Sequence, residues 1–182
     1  MFLDLGPNPI VACIVEGKAE AAVIELLLKN NLLIFTEDDL LSGELIKERN
    51  ADKFSEKYLG KRFDSKVSVI RILDSDKERF NLKKEYRHKC NVYNIITRTE
   101  IEMLIILNEH KYEQFKKLKN IKPSDFCSQC LDIGYVKSKS YWEDYFSDVN
   151  KLIYAIKEYD KIAKKSDKTK DLLNLKDLLL ES

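Results

Sequence analysis

The chain has 182 residues, enough for one hydrophobic core with a small appendage. Its 32 Lys and Arg against 31 Asp and Glu leave a net charge of +1, so no global field draws it to nucleic acid or membranes, and attraction to a polyanion has to come from local patches. No apolar run reaches membrane-spanning length, and Met1-Phe2-Leu3-Asp4-Leu5 lacks the basic start of a signal peptide before Gly6-Pro7-Asn8-Pro9 interrupts it, so a cytoplasmic protein is expected, with no membrane partner.

Residues 10–15, Ile-Val-Ala-Cys-Ile-Val, form a short, continuous, β-branched run that predicts a buried strand. Glu16-Gly17 makes the turn, and 18–30 reads as a helix with Ala19, Ala22, Val23, Leu26 and Leu27 on one face. Residues 32–35 read as a short second strand, and 36–62 as one or two helices closed by Gly60. The run 66–73 is the best strand in the chain and ends at Asp74-Ser75-Asp76. Another strand follows at 91–97, then helix-like spacing over 99–109 through Ile101, Met103, Leu104 and Ile105. Long stretches between buried strands predict crossovers and a mostly parallel sheet flanked by helices. Beyond 110 the chain turns lysine-rich, breaks at Pro123, carries an aromatic helical stretch over 141–163, and ends in a leucine-rich segment, 171–180, read as a helix. The expected organisation is an α/β core over 10–110 with a helical extension, 111–182, packed on it.

Cys13, Cys90, Cys127 and Cys130 are expected to be reduced. Zinc at Cys127-x-x-Cys130 would need two further ligands, for which His88 and Cys90 are available; ordinary, partly buried thiols are the plainer reading.

Two predicted strands end in acid. Parallel and adjacent, they would gather Glu16, Asp74 and Asp76 at the carboxyl edge of the sheet, where ligands of such sheets bind. Oxygen-only clusters hold Mg²⁺ or Mn²⁺, ions that serve phosphate chemistry. Gly17 would let the chain turn sharply and its backbone approach a phosphate, and the helix beginning at Lys18 would aim its positive end at the same anion. Glu20, one turn along, either faces the same site or is a solvated helix carboxylate, the plainer reading, and Lys18 either contacts a phosphate or is solvated. After the next strand, Glu100 and Glu102 are either further metal ligands or capping residues, through Thr97-x-x-Glu100 or Thr99-x-x-Glu102. Arg98 would bind phosphate or pair with Glu100 or Glu102. Lys116 and Lys117, inside the lysine-rich 111–122 segment, either track a nucleic-acid backbone or form a solvated face.

The order apolar strand, Glu16-Gly17, helix, then apolar strand and Asp74-x-Asp76 resembles the Toprim domain over roughly residues 10–107. The resemblance implies a Rossmann-like sheet, Glu16 as a general base or ligand, and Asp74 and Asp76 as Mg²⁺ (or Mn²⁺) ligands, with Glu100 or Glu102 helping a second ion. Topoisomerases and primases of that group need domains that do not fit in 182 residues, which leaves a stand-alone nuclease acting on DNA or RNA, similar to RNA-maturation or phage-defence enzymes. A non-catalytic module, or a subunit of a defence or repair complex, is the alternative. Defence proteins of this kind often work with an ATPase; the sequence has no Gly-x-x-x-x-Gly-Lys-Ser/Thr loop, so an ATPase would be a partner chain, and oligomerisation is left open.

Overall fold

A computed structural model describes residues 3–97, 101–134, 138–166 and 170–180. In chain order the elements are β1 (Ile10–Val15), α1 (Lys18–Lys29), a 3₁₀ turn at Glu37–Asp39, α2 (Ala51–Tyr58), β2 (Val67–Leu73), a second 3₁₀ turn at Arg87–Lys89, β3 (Cys90–Ile96), α3 (Met103–Asn108), α4 (Tyr112–Lys117), α5 (Pro123–Cys130), α6 (Lys139–Tyr145), α7 (Val149–Lys164) and a last 3₁₀ turn at Leu175–Leu178. The fold is α/β: a three-stranded sheet of order β1-β2-β3, with both pairs parallel, flanked by helices.

The strands alternate between two apolar layers, as a period of two requires. Val11, Cys13, Val15, Ile70, Ile72 and Ile95 face a large cluster that includes buried residues of α1, α3, α5, α6 and α7. Ala12, Ile14, Val67, Val69 and Cys90 face a smaller one closed by Phe54 of α2, Leu59 and Leu82. On the larger side α3 packs on α7 and α1 on α6, so the segment beyond 110 shares one core with the first helix.

Both edges of the sheet are covered. Along β1 run residues 40–46: Leu41 and Ile46 donate amides to Val11 and Cys13, and Ile46 accepts from Val15. Along β3 the Ile96 amide donates to Leu173 at 2.8 Å. An uncovered parallel edge would leave those backbone groups unpaired.

Two expected elements take other forms. Residues 32–35 do not enter the sheet; Leu33 bridges Leu179 in antiparallel fashion, and the Ile34 amide donates to Leu178. The leucine-rich 171–180 segment is not an α-helix but an extended strip with one 3₁₀ turn, fixed by a reciprocal capping box between Asn174 and Asp177. Its leucines look helical by spacing, but the edge of β3 and residues 32–34 supply the partners that an extended backbone needs. No helix among the described residues is long and apolar enough to cross a membrane.

Candidate functional site

The register sets the site. Val15 stands opposite Ile72 and Leu73 opposite Ile96, so the three strands end nearly level, with Glu16, Asp74 and Thr97 as the next residues. Thr97 braces the edge: its amide and hydroxyl both donate to the Leu73 carbonyl, at 2.8 and 3.1 Å, just ahead of Asp74. The two acidic strand ends therefore do lie on adjacent strands at one edge.

Glu20 joins them. It is the third residue of α1, and its Oε2 lies close over the backbone of Gly17, the residue that caps this helix. Burial raises its carboxyl above the ordinary 4.5, Glu16 and Asp74 push it the same way, and the nearby backbone amides of Glu20 and Gly17 pull it back. Glu16 and Gly17 bend the chain between β1 and α1 as expected, but Gly17 does so with an extended backbone (φ −121°, ψ 179°), and a Cβ there would come within 2.5 Å of Glu20 Oε2, which would have to shift. The sequence signal was the spacing Gly17-x-x-Glu20, which places an acid three residues after a helix cap.

The raised Glu20 carboxyl has a sign. A carboxyl that resists charging in the fold contributes stability that is present below its ordinary value of 4.5 and lost as pH rises through its folded value. Glu20→Gln should therefore resist urea better than the parent near neutral pH, and the difference should close by about pH 4. Urea midpoints at both pH values check this; an equal gain at both would rule out charge as the cause.

Beside the acids lies a charged chain that the sequence reading did not find. Arg49 Nη2 touches Glu16 Oε1 at 2.7 Å and Glu78 Oε2 at 2.9 Å. Glu78 foremost, then Glu16 and Asp74, hold the Arg49 guanidinium above its ordinary value against partial desolvation. Glu78 Oε1 stands 3.2 Å from Nη2 of Arg71, whose side chain is only 1% exposed on the inner face of β2. Arg71 Nη1 donates to Asn94 Oδ1 at 3.1 Å, and its guanidinium lies 4.7 Å over the Phe80 ring. Burial pulls this guanidinium below its ordinary value and Glu78 pulls it back. Its Nε has no hydrogen-bond partner, and the Nη2 approach to Glu78 is an ion pair outside hydrogen-bond geometry. Arg49 is placed by its neighbours: Ile46 is tied to β1, and Asn50 Oδ1 caps α2 through the amides of Asp52 and Lys53. An open cleft of about 650 Å³ lies in front of Arg49 and Glu78. The apolar pocket between Thr97, Ile101, Met103, Leu104, Tyr159 and Leu175 holds only about 10 Å³, no more than one water.

The remaining expected residues fall elsewhere. Asp76 is exposed two residues beyond Asp74, and Lys18 is exposed at the first position of α1. Arg98 and Glu100 lie outside the described residues. Glu102 is buried directly ahead of α3, with Cys127 Sγ 3.9 Å from its carbonyl. Because α3 begins at Met103, Glu102 precedes the first turn and cannot be the third helical residue that a Thr99 capping box requires. The Thr97 hydroxyl donates to Leu73, and the Thr97-x-x-Glu100 box lies outside the described residues. Lys116 and Lys117 are exposed in α4, and Lys116 pairs with Glu113 at 3.3 Å. The four-ligand zinc reading fails: Cys127 belongs to the larger core cluster and Cys90 to the smaller one on the opposite face of the sheet. Burial pushes the Cys13 thiol up to about 12 and, foremost among its influences, the Cys90 thiol to about 11, so neither is a ready thiolate.

In donor type the edge suits a hard divalent cation: its ligands are all oxygen, and Glu16 Oε2 is buried without a hydrogen-bond partner. Among the described residues, however, no three His, Cys, Asp or Glu side chains stand together closely enough to hold an ion. The other Glu16 oxygen is turned onto Arg49. Fold and edge define a small parallel α/β protein whose strand ends carry interleaved carboxylates and arginines. No family model, curated protein or solved structure matches the chain.

Proposed function

We propose that this chain is a Toprim-like, metal-dependent phosphodiesterase acting on nucleic acid. One observation carries the reading: Glu16, Glu20 and Asp74, at the ends of adjacent parallel strands and the helix between them, are close enough for the first and last to raise the Glu20 carboxyl, while one Glu16 oxygen is buried without a partner. Carboxylates crowded in this way are stabilised by a cation. To hold Mg²⁺ or Mn²⁺, Glu16 would turn from Arg49 and draw together with Asp74, Asp76 and Glu20. Such an ion polarises a phosphoryl oxygen and lowers the pKa of a bound water. Glu16, freed from Arg49, would serve as a ligand or as a general base, and Arg49 would then face the phosphate. The RNA-maturation or phage-defence setting, and an ATPase partner, follow from the family resemblance alone.

Single- and double-stranded DNA and RNA incubated with Mg²⁺ or Mn²⁺ test the reading. Cleavage by the parent should fall by about 10²-fold or more in Glu16→Gln and in Asp74→Asn. Cleavage that survives Asp74→Asn would sink it. A second reading, a non-catalytic binding module, is favoured by the Arg49–Glu16 pair, because an internal counterion is what an ion-free scaffold needs. Calorimetric titration with Mn²⁺ separates the two: heat that vanishes in Asp74→Asn supports the enzyme, and no heat in the parent supports the module.

A further inference from the structure

Glu78 is a surface carboxylate placed where a ligand would be. One of its oxygens is held by Arg49 at 2.9 Å and the other stands 3.2 Å from Arg71, so a single carboxylate bridges two guanidinium groups. The fit is incomplete on the buried side. Arg71 presents Nε and Nη2 without hydrogen bonds, and Glu78 offers that fork only one oxygen. An anion with three oxygens meets both nitrogens of such a fork and still reaches a second arginine. The cleft in front is charge-balanced only while Glu78 is counted: Lys47, Arg49 and Arg79 face Glu48, Asp52 and Glu78. With Glu78 swung away, the cations lining the cleft outnumber the acids, and Arg71 behind Glu78 loses its carboxylate partner.

We infer that Arg49 and Arg71 form a binding site for a terminal phosphate, which Glu78 fills as a resident anion until a phosphate-bearing ligand displaces it. The ligand class is a phosphate monoester, on a nucleotide or at the 5′ end of a nucleic acid. A dianion competes well against one carboxylate for two guanidinium groups. Arg49 uses the same terminal nitrogen for Glu16 and Glu78, so whatever replaces Glu78 lies next to the acidic edge. Only the choice of nucleic acid as a phosphate source rests on the nuclease reading; the site itself does not.

The test is calorimetric binding in EDTA, where no metal-dependent cleavage occurs, so its failure and the failure of the nuclease reading are separate events. The probes are inorganic phosphate, a 5′-phosphorylated oligonucleotide and its 5′-hydroxyl counterpart. The phosphorylated oligonucleotide should bind about tenfold more tightly than the hydroxyl form. Glu78→Gln should tighten inorganic phosphate by about tenfold, and Arg49→Gln should weaken it by a similar factor. Inorganic phosphate binding as well as the phosphorylated oligonucleotide supports the site and identifies a small-molecule source. Glu78→Gln leaves buried Arg71 without its counterion and could lose its fold; Arg49, 41% exposed, is the variant that then decides. Equal phosphate binding by Arg49→Gln and the parent, or equal binding of the two oligonucleotides, overturns the inference.

Discussion

A chain cut after Lys170 should no longer fold cooperatively. The removed strip contributes Leu173, Leu175 and Leu178, all buried. Each is worth roughly 1.5–3 kcal/mol on burial, so the loss is about 4.5–9 kcal/mol, comparable with the whole net stability of a domain this size. Polar consequences add to it. The Ile96 amide at the β3 edge loses its acceptor, the Leu173 carbonyl, and the Ile34 amide loses Leu178. Asp160, buried on α7, loses the Asn174 Nδ2 that donates to it at 2.9 Å and keeps only Lys164. Circular dichroism on heating and light scattering check the result. A truncated chain that stays monomeric and melts within about 5 °C of the full chain would show the strip to be a free surface and not part of the core.

Phe54→Ala should cost about 3–5 kcal/mol. Phe54 is fully buried on α2, the one α-helix that contributes a buried residue to the smaller face of the sheet among those described. Its ring lies 5.3 Å from Tyr58 and 5.6 Å from Phe80. The ring is fully buried in the smaller cluster with Ile14, Ile46, Leu59 and Val69, so its removal leaves a cavity. The effect also reaches the site, because Phe80 is the ring beneath Arg71. Urea unfolding measures the stability loss, and Phe54→Leu should lose less than half as much. A penalty below about 1 kcal/mol would mean that this face is not a second core.

The C-terminal strip and the elements around the sheet show how unevenly the fold is legible in the sequence. The strands at 10–15, 66–73 and 91–97 were found within a residue or so of their ends, because each is a dense β-branched run bounded by turn residues, and that signal is local. The first helix was equally plain from its apolar face. The leucine-rich tail misled, since helical and extended strips of apolar residues look alike until a partner edge is known. That β1 and β2 pair directly, which puts Glu16 and Asp74 at one edge, followed from the parallel-sheet argument and is what the fold has.

Glu20, Arg49, Arg71 and Glu78 show the other side. Glu20 reads as solvated because a helical repeat does not tell that its carboxylate will lie over the Gly17 backbone and feel Glu16 and Asp74. Arg71 is a charge inside a strand, and its partners Glu78, Phe80 and Asn94 become neighbours only through a turn and the next strand. Arg49 reaches Glu16 from 33 residues away because 40–46 lies along β1 and Asn50 then caps α2. Residue type and short-range spacing determine strands, helices and the acids at their ends, since those depend on backbone preference and periodic burial. Which charge meets which depends on register, edge pairing and the path of the connecting segments, and only the folded chain decides those. Here that decision set an arginine against the carboxylate that the sequence alone assigned to a metal.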